Sequence, residues 1–260
     1  LVGESVKDPL KYYDNNLYGT KVLLEAMVRN GVDKIVFSST AATYGEPKRV
    51  PILEGDPTEP TNPYGETKLA MEKMLKWVSN AHGLRYVSLR YFNACGAHES
   101  GRIGEAHNPE SHLIPLILQV PGGKRPFISI FGGDYPTKDG TCVRDYIHVS
   151  DLADAHIAAL KYLDRDERKY DAFNVGTGEG TSVRQIVDEV KKVTGLPFTE
   201  AVMARRAGDP PHLIGSPKRI NEEMGWHAKY DVEDIVKSAW DAWQANPEHH
   251  IDVDTWKQAD

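Results

Sequence analysis

The chain has 260 residues, in which 38 acidic side chains outnumber 31 basic ones and give a net charge of -7. Both signs are mixed along the sequence, so nothing indicates a nucleic-acid footprint or a basic membrane-binding face. No apolar run approaches the roughly 20 residues that a membrane span needs. The two cysteines form no Cys-x-x-Cys pair, and the ten histidines show no His-x-x-x-His or His-Glu-x-x-His spacing. We therefore expect a cytoplasmic protein without a metal site.

Helical and strand patterns alternate in the first part of the chain. The sequence predicts a helix at 9–30, a strand at 34–38, a helix at 63–80 and a strand at 85–92. Gly31 supplies the stop of the first helix, and a loop rich in proline, glycine and charge precedes the second. Helix, strand, helix, strand is the α/β pattern, and it predicts a parallel sheet with right-handed crossovers.

After Asn93 the elements become shorter and the loops richer in glycine. The sequence predicts a helix at 112–120, strands at 128–131 and 146–149, a helix from a Ser150-Asp151 cap to 163, a strand at 172–175, a helix from a Thr181 or Ser182 cap to 195, and helices at 217–224 and 232–245. The apolar strand at 172–175 is expected to return to the main sheet.

The stretch at 35–68 holds the candidate chemistry. Its apolar start ends in the hydroxyl side chains of Ser38, Ser39 and Thr40, and parallel α/β sheets bind ligands at such carboxyl ends of strands. An Asn-Pro pair then favours a helix that carries Tyr64 and Lys68 on one face. Because an ammonium favours the phenolate, we expect the pKa of Tyr64 to fall from about 10. Such a tyrosine can take a proton from a sugar hydroxyl and return it, while Thr40 bonds the same oxygen.

Several segments carry a family resemblance. Phe-Ser-Ser-Thr-Ala-Ala-Thr-Tyr-Gly (37–45), Pro-Tyr-Gly-Glu-Thr-Lys (63–68) and Arg-Tyr-Phe-Asn-Ala-Cys-Gly-Ala-His (90–98) resemble the extended short-chain dehydrogenase/reductase family. The segment Phe-Gly-Gly-Asp-Tyr-Pro-Thr-Lys-Asp-Gly-Thr-Cys-Val-Arg-Asp-Tyr-Ile-His-Val (131–149) closely resembles the UDP-glucose 4-epimerases of that family. The similarity covers nearly the whole chain, and the last segment is long enough to be specific.

The resemblance implies a fold and a domain plan. The fold class is α/β, with a Rossmann-type doubly wound parallel sheet and a smaller α/β substrate domain. Residues 1–94, joined by about 150–178, would be the remainder of the dinucleotide-binding domain. Residues 95–149 and 179–260 would form the nucleotide-sugar-binding domain.

The implied reaction interconverts UDP-glucose and UDP-galactose at C4 of the hexose. Tyr64 would remove the proton of the 4-hydroxyl while C4 gives its hydride to NAD⁺, and the 4-keto sugar would turn over before the hydride returns. Thr40 matches the family's catalytic hydroxyl, and Lys68 would both tune Tyr64 and hold the nicotinamide ribose. Asn15 and Phe92 match residues beside the cofactor. NAD is regenerated in each turnover, so the protein supplies orientation and an electric field.

The resemblance also implies a set of substrate contacts. Arginine pairs phosphate oxygens through two hydrogen bonds, and Arg144 and Arg206 match family positions at the diphosphate. Asp209 matches a carboxylate that binds the uridine ribose, and Phe131 a ring at the uracil, although a phenylalanine judged alone is more often a core residue. The implied substrate residues are Thr40, Asn93, His112, Leu113, Phe131, Arg144, Arg206, Asp209 and Leu213.

The chain departs from the family pattern at several positions. His112 stands where many members have asparagine, and Cys95 replaces a proline. No Gly-x-Gly-x-x-Gly loop occurs, and the chain starts with Leu1. We therefore expect an N-terminally truncated sequence, with about 80 residues and the pyrophosphate-binding loop missing, so the functional assignment concerns the longer parent.

Other functions stay open. Leu213 is smaller than the tyrosine of some members, which leaves room for a 2-acetamido group and makes UDP-N-acetylglucosamine an alternative substrate. A 4,6-dehydratase would need an acid and a base after the threonine, where this chain has Ala41 and Ala42. Another reaction on a nucleoside-diphosphate sugar is less easily excluded, and a non-catalytic nucleotide-sensing module is a rival from another class. The family also implies a homodimer, built on the helices that start near Pro9 and Pro63.

Overall fold

The structure is a computed structural model that describes residues 1–165, 170–206 and 209–246. Its α-helices are α1 (Val2–Lys7), α2 (Pro9–Tyr12), α3 (Gly19–Arg29), α4 (Pro63–His82), α5 (Leu113–Leu118), α6 (Val149–Leu163), α7 (Val183–Thr194), α8 (Lys218–Met224) and α9 (Val232–Ala245). Its strands are β1 (Lys34–Thr40), β2 (Arg85–Tyr91), β3 (Asn93–Cys95), β4 (Phe127–Phe131), β5 (Val143–Arg144), β6 (Tyr146–His148), β7 (Tyr170–Val175), β8 (Thr181–Ser182), β9 (Thr199–Met203) and β10 (His212–Leu213). No helix of the described ranges combines the length and the apolar character that crossing a membrane requires.

The main sheet is parallel and has the strand order β1-β2-β7. Lys34 pairs with Arg85 and Thr40 with Tyr91, so β1 and β2 end at the same edge. Tyr91 also pairs with Val175, which places the end of β7 at that edge. The predicted parallel sheet is therefore confirmed, including the return of the strand at 172–175.

Helices cover both faces of this sheet because neighbouring strand residues point to opposite sides. Phe37 belongs to a core with Leu75 of α4, whereas its neighbour Val36 packs against a core that contains Leu152 and Leu163 of α6. Fully burying one such side chain contributes about 1.5–3 kcal/mol. The fold is thus the doubly wound α/β arrangement, and its two cores hold α4 and α6 firmly on the sheet.

A third core lies among α5, α7 and α9, where Ile117, Val187 and Ile235 are all fully buried. The short sheets β4-β9, β10-β5-β8 and β3-β6 belong to this part of the chain. Ile220 of α8 and Trp226, however, pack in the core beneath the main sheet. The proposed division into two domains stays a prediction, and these two residues cross it.

Two element predictions need correction. The helix predicted at 9–30 contains a π-helical turn at Tyr13–Tyr18. The predicted Ser150-Asp151 cap of α6 is wrong, because the imidazole of His148 accepts the backbone N–H of Ser150 at 3.0 Å. The Asp151 carboxylate instead accepts backbone N–H groups of Lys229 and Tyr230. The Asp151 side chain, which the local sequence assigns to the helix cap, therefore bonds to a segment distant in sequence.

Candidate active site

The carboxyl edge of the main sheet, where β1, β2 and β7 end, carries the predicted catalytic residues, and we call it the catalytic edge. Thr40 lies at this edge, where β1 ends and a 3₁₀ helix (Ala41–Tyr44) follows. The Thr40 hydroxyl accepts the backbone N–H of Ala42 at 3.1 Å, and the Thr40 carbonyl accepts the hydroxyl of Thr43 at 2.8 Å. Thr40 is only 8% exposed. One local hydrogen bond thus orients the hydroxyl that the sequence predicts to be catalytic, and a second one fixes the backbone of the same residue.

Helix α4 brings Tyr64 and Lys68 to this edge. Asn62 caps the helix by accepting the backbone N–H of Gly65 at 2.9 Å, as predicted. A side-chain carbon at Gly65 would lie 2.6 Å from the Ala42 carbonyl oxygen. Only glycine therefore allows the first turn of α4 to approach the 3₁₀ helix this closely.

Lys68 lies beneath the same edge. Its Nζ donates to the Ser38 carbonyl at 2.9 Å and lies 5.9 Å from the centroid of the Tyr64 ring. Burial lowers the pKa of Lys68. In the described ranges Ser38 supplies the one acceptor that this ammonium has, so its other N–H groups can bind a ligand.

The pKa of Tyr64 corrects one expectation. Burial raises it above its ordinary value of 10.0, and a side-chain hydrogen bond with Thr40 opposes that increase. The expected fall caused by Lys68 is wrong for this structure, because the ammonium bonds to Ser38 and the phenol is largely removed from water. Thr40, rather than Lys68, is the residue that favours the phenolate.

A buried polar network behind the catalytic edge escaped the sequence analysis. Arg90 pairs with Glu72, with side chains 8% and 9% exposed, and the same carboxylate accepts the Ser39 hydroxyl. Arg90 also donates to the Tyr44 hydroxyl at 3.0 Å, which donates to Asn174 at 2.7 Å. The available signal was the spacing of Glu72, which lies four residues after Lys68 and therefore near the same helix face.

The two further residues predicted to lie near the cofactor, Asn15 and Phe92, differ in their surroundings. Asn15 is exposed, and its amide donates to Asn16 at 3.0 Å; in the described part of the chain no hydrogen bond joins its side chain to Tyr64 or Lys68. Phe92 packs with Leu213 against a small core that includes Tyr44. Asn93 follows directly, and its backbone donates to the Asp145 carbonyl at 3.0 Å.

The structure brings five of the predicted substrate residues into local groups. Arg144 and Asp209 form an ion pair, and Leu213 pairs with Arg144 in the β5–β10 register. The Arg206 guanidinium lies 4.1 Å from the centroid of the Phe131 ring. Phe131 is 36% exposed, so it is not a core residue. Exposed aromatic and arginine groups are free to bind a planar, anionic ligand.

His112 and Leu113 lie at the start of α5. His112 is the cap position of this helix, and its Nδ1 lies 2.9 Å from Glu110 and 3.0 Å from Glu105. Glu105 and Glu110 raise the pKa of His112 to about 9. The carboxylates thus favour the cationic imidazole, whereas the asparagine common in the family cannot carry charge.

The residues present fit one end of a dinucleotide. The Lys68 ammonium offers unused donors 5.9 Å from the centroid of the Tyr64 ring, and such donors suit the hydroxyls of a ribose. Both lie at the carboxyl edge of parallel strands, where such ligands bind. A glycine loop that could bind the pyrophosphate is absent from the sequence. The fit therefore concerns the nicotinamide-ribose end.

Comparison with known proteins defines the class. Residues 1–176 match the NAD dependent epimerase/dehydratase family, and the chain belongs to that family. NAD is the cofactor of the class by that description. The fold, with its parallel sheet and helices on both faces, agrees with this membership.

Within this family the chain is similar to UDP-glucose 4-epimerases. It is 54% identical to the enzyme named UDP-glucose 4-epimerase from Halalkalibacterium halodurans over 248 residues, covering 95% of this chain and 74% of the relative. A crystal structure of a UDP-glucose 4-epimerase has a TM-score of 0.93 and 51% identity, covering 96% and 76%. The Brucella ovis UDP-glucose 4-epimerase in complex with NAD has a TM-score of 0.89 and 49% identity, covering 92% and 74%.

Proposed function

We propose that this chain carries the catalytic residues of an NAD-dependent enzyme that interconverts UDP-glucose and UDP-galactose at C4. The observation that carries the proposal is the placement of Tyr64 and Lys68 one helical turn apart on α4, with the Lys68 ammonium bonded to the Ser38 carbonyl at the carboxyl edge of the main sheet, where Thr40 ends β1. The relatives named UDP-glucose 4-epimerase support it. A cytoplasmic location agrees with the two free, buried cysteines.

Tyr64 moves the proton in this mechanism. Its phenolate would remove the proton from O4 of the sugar and later return it, and the Thr40 hydroxyl would hydrogen-bond the same oxygen. NAD would supply, when bound, the acceptor for the hydride of C4 and the donor that returns it to the keto sugar. Lys68 would bind the nicotinamide ribose with its unused N–H groups, and Asn15 and Phe92 would complete the cofactor contacts.

The diphosphate and the uridine would be held by the loop residues. Arg206 supplies an exposed guanidinium, while Arg144 must exchange its Asp209 partner for phosphate oxygens. Release of Asp209 would free its carboxylate for the ribose hydroxyls, and Phe131 would stack on the uracil. Asn93, His112 and Leu113 complete the proposed contacts.

An isotope experiment tests the reaction. UDP-galactose carrying deuterium at C4 is incubated with NAD⁺ and the protein, and the product is analysed by NMR. We expect UDP-glucose that keeps the deuterium at C4, because the hydride returns to its own carbon. Loss of the label to water would contradict hydride transfer, and absence of product from a chain that carries a pyrophosphate-binding loop would contradict the activity.

The expected location of the glycine loop calls for two samples in this experiment. The first is this chain, and the second is the chain extended at its N-terminus by the strand, glycine loop and helix of a relative. We expect product only from the extended chain, because only it contains the pyrophosphate-binding loop. Equal activity of both samples would contradict the need for the added pyrophosphate-binding loop.

Leu213 supports a second candidate substrate, UDP-N-acetylglucosamine. The side chain is half-buried beside Phe92 and Tyr44, so it lies near the proposed nicotinamide end of the site. A leucine leaves more space for a 2-acetamido group than a tyrosine does. Turnover of UDP-glucose without turnover of the N-acetyl sugar would remove this candidate.

The outer faces of α3 and α4 support a homodimer. Leu23 is 50% and Trp77 72% exposed, and these helices also line a groove of about 450 Å³. Large exposed apolar side chains grouped on paired helices are typical of a protein interface. Light scattering of Leu23→Glu should give a monomer, whereas Leu196→Glu, a change of a leucine 42% exposed after α7, should leave the dimer intact.

A further inference from the structure

A second group of titratable side chains lies on the loop that leads into α5. Glu105, His107, Glu110 and His112 each offer one ligand atom, and these four atoms lie within 4.8 Å of one another. The spacing is Glu-x-His-x-x-Glu-x-His. We expected no metal site because the sequence has no His-x-x-x-His or His-Glu-x-x-His pattern; the two histidines of this loop are spaced differently.

The distances within the group match a tetrahedral ion. The His107 Nδ1 lies 3.3 Å from Glu105 and 3.4 Å from Glu110, and the His112 Nδ1 lies 3.0 Å and 2.9 Å from the same two carboxylates. A tetrahedral zinc ion with ligands at about 2.0–2.1 Å holds neighbouring donor atoms about 3.3 Å apart. With Glu105 Oε1 and Glu110 Oε2 as the carboxylate ligands, three of these separations, 3.3, 3.4 and 3.0 Å, are close to those of an assembled site, and the fourth joins His112 to the other Glu110 oxygen.

The charges of the group also fit a divalent cation. The side chains of Glu105 and Glu110 are only 18% and 9% exposed. In the ranges that the structure describes, no lysine or arginine pairs with either carboxylate; their ionic partners are His107 and His112. A divalent cation would displace the proton of His112, and two carboxylates with two neutral imidazoles around that cation give a neutral site, which lowers the cost of burying the acids.

Backbone groups hold one ligand in place. The Glu110 Oε1 accepts the backbone N–H groups of Ser111 and His112, both at 2.7 Å. The rings of His107 and His112 lie 4.6 Å apart between centroids, so both imidazoles reach the same small volume. Outer-shell hydrogen bonds of this kind orient metal ligands and increase affinity.

We propose that Glu105, His107, Glu110 and His112 bind one Zn²⁺ ion in a tetrahedral site. Imidazole and carboxylate donors in this number suit zinc, and four protein ligands leave no open position for catalysis. The ion is structural: it closes the 105–112 segment and fixes the start of α5. His112 binds the ion through Nδ1, so its Nε2 stays available for the nucleotide sugar.

The test is a calorimetric titration of the EDTA-treated, tag-free protein with ZnCl₂. We expect one Zn²⁺ per chain, and we expect His107→Ala to weaken binding by roughly 100-fold or more, because it removes a ligand rather than an outer-shell contact. His98→Ala is the matched control, since His98 lies on the same loop but contacts Ser100. It should bind Zn²⁺ like the unchanged chain.

Two further measurements separate a lost ligand from a lost fold. Glu105→Gln keeps the shape of the side chain and should also weaken Zn²⁺ binding while leaving the far-ultraviolet circular dichroism unchanged. Co²⁺ in place of Zn²⁺ should give the intense visible absorption of a tetrahedral ion in the unchanged chain and in His98→Ala, but not in His107→Ala or Glu105→Gln. No Zn²⁺ binding, or equal weakening by His98→Ala and His107→Ala, would overturn the proposal.

Discussion

The catalytic edge and the substrate-facing loops of this molecule are built in different ways. Thr40 and Lys68 lie on regular elements whose backbones are fixed by the main sheet and by α4. Phe131 ends strand β4 and Arg206 lies in a loop, and the two side chains contact each other near the surface. Proton transfer needs reacting atoms held within a narrow geometry, whereas a ligand can complete its own contacts on binding.

The electrostatics of the two regions differ in the same sense. The Arg90–Glu72 pair is sealed behind the catalytic edge and has further hydrogen bonds to Ser39 and Tyr44. The Arg144–Asp209 pair is less enclosed, since the Asp209 side chain is 32% exposed. A sealed pair stabilises one geometry, while an accessible pair can exchange a partner for a phosphate. The comparison therefore predicts structural roles for the first pair and ligand-dependent roles for the second.

The largest effect is expected at the catalytic edge, for Tyr64→Phe. Loss of the only atom that transfers the sugar proton should lower kcat by roughly 10²–10⁴-fold in the active, NAD-containing enzyme. Steady-state conversion of UDP-galactose measures the effect. Tyr18→Phe is the control, because Tyr18 is 59% exposed on the π-helical turn and should keep full activity. Undiminished turnover by Tyr64→Phe would refute the proposed mechanism.

The next largest effect concerns stability behind the same edge. Arg90→Leu leaves the Glu72 carboxylate buried without its cation, which should lower the free energy of unfolding by about 3–5 kcal/mol. Urea denaturation followed by circular dichroism measures the loss. Arg49→Leu removes the exposed partner of Asp56 and should change stability far less. Similar losses of stability in both variants would contradict the structural role of the buried Arg90–Glu72 pair.

How much the sequence could predict follows the same division. The Asn62 cap, the Tyr64–Lys68 face and the parallel sheet depend on local spacing, and the structure has them. The raised pKa of Tyr64 could not be predicted, because it depends on burial by distant segments. The His148 cap of α6 was missed for the same reason, since Lys229 and Tyr230 occupy the Asp151 carboxylate.

On the loop side, Arg206→Ala should raise KM for UDP-galactose by roughly 10–100-fold with a smaller change in kcat, because a charge-assisted contact contributes about 1.5–3 kcal/mol. Arg205→Ala is the matched control. Its guanidinium pairs with Asp134 and stacks on Tyr135, so it is already engaged away from the proposed ligand. An equal rise in KM for both variants would indicate a general loss of positive charge rather than a defined phosphate contact.

The smallest expected effect is a shift in the pH dependence of kcat/KM when Thr40 is replaced. The hydrogen bond from Thr40 lowers the pKa of Tyr64 against the rise caused by burial. Removing it in Thr40→Ala should therefore raise that pKa further, so the phenolate forms only at higher pH. The rising limb of the plot of kcat/KM against pH should move to higher pH in Thr40→Ala and return in Thr40→Ser. A profile that keeps its position while only its height falls would mean that Thr40 orients the sugar without tuning the phenol.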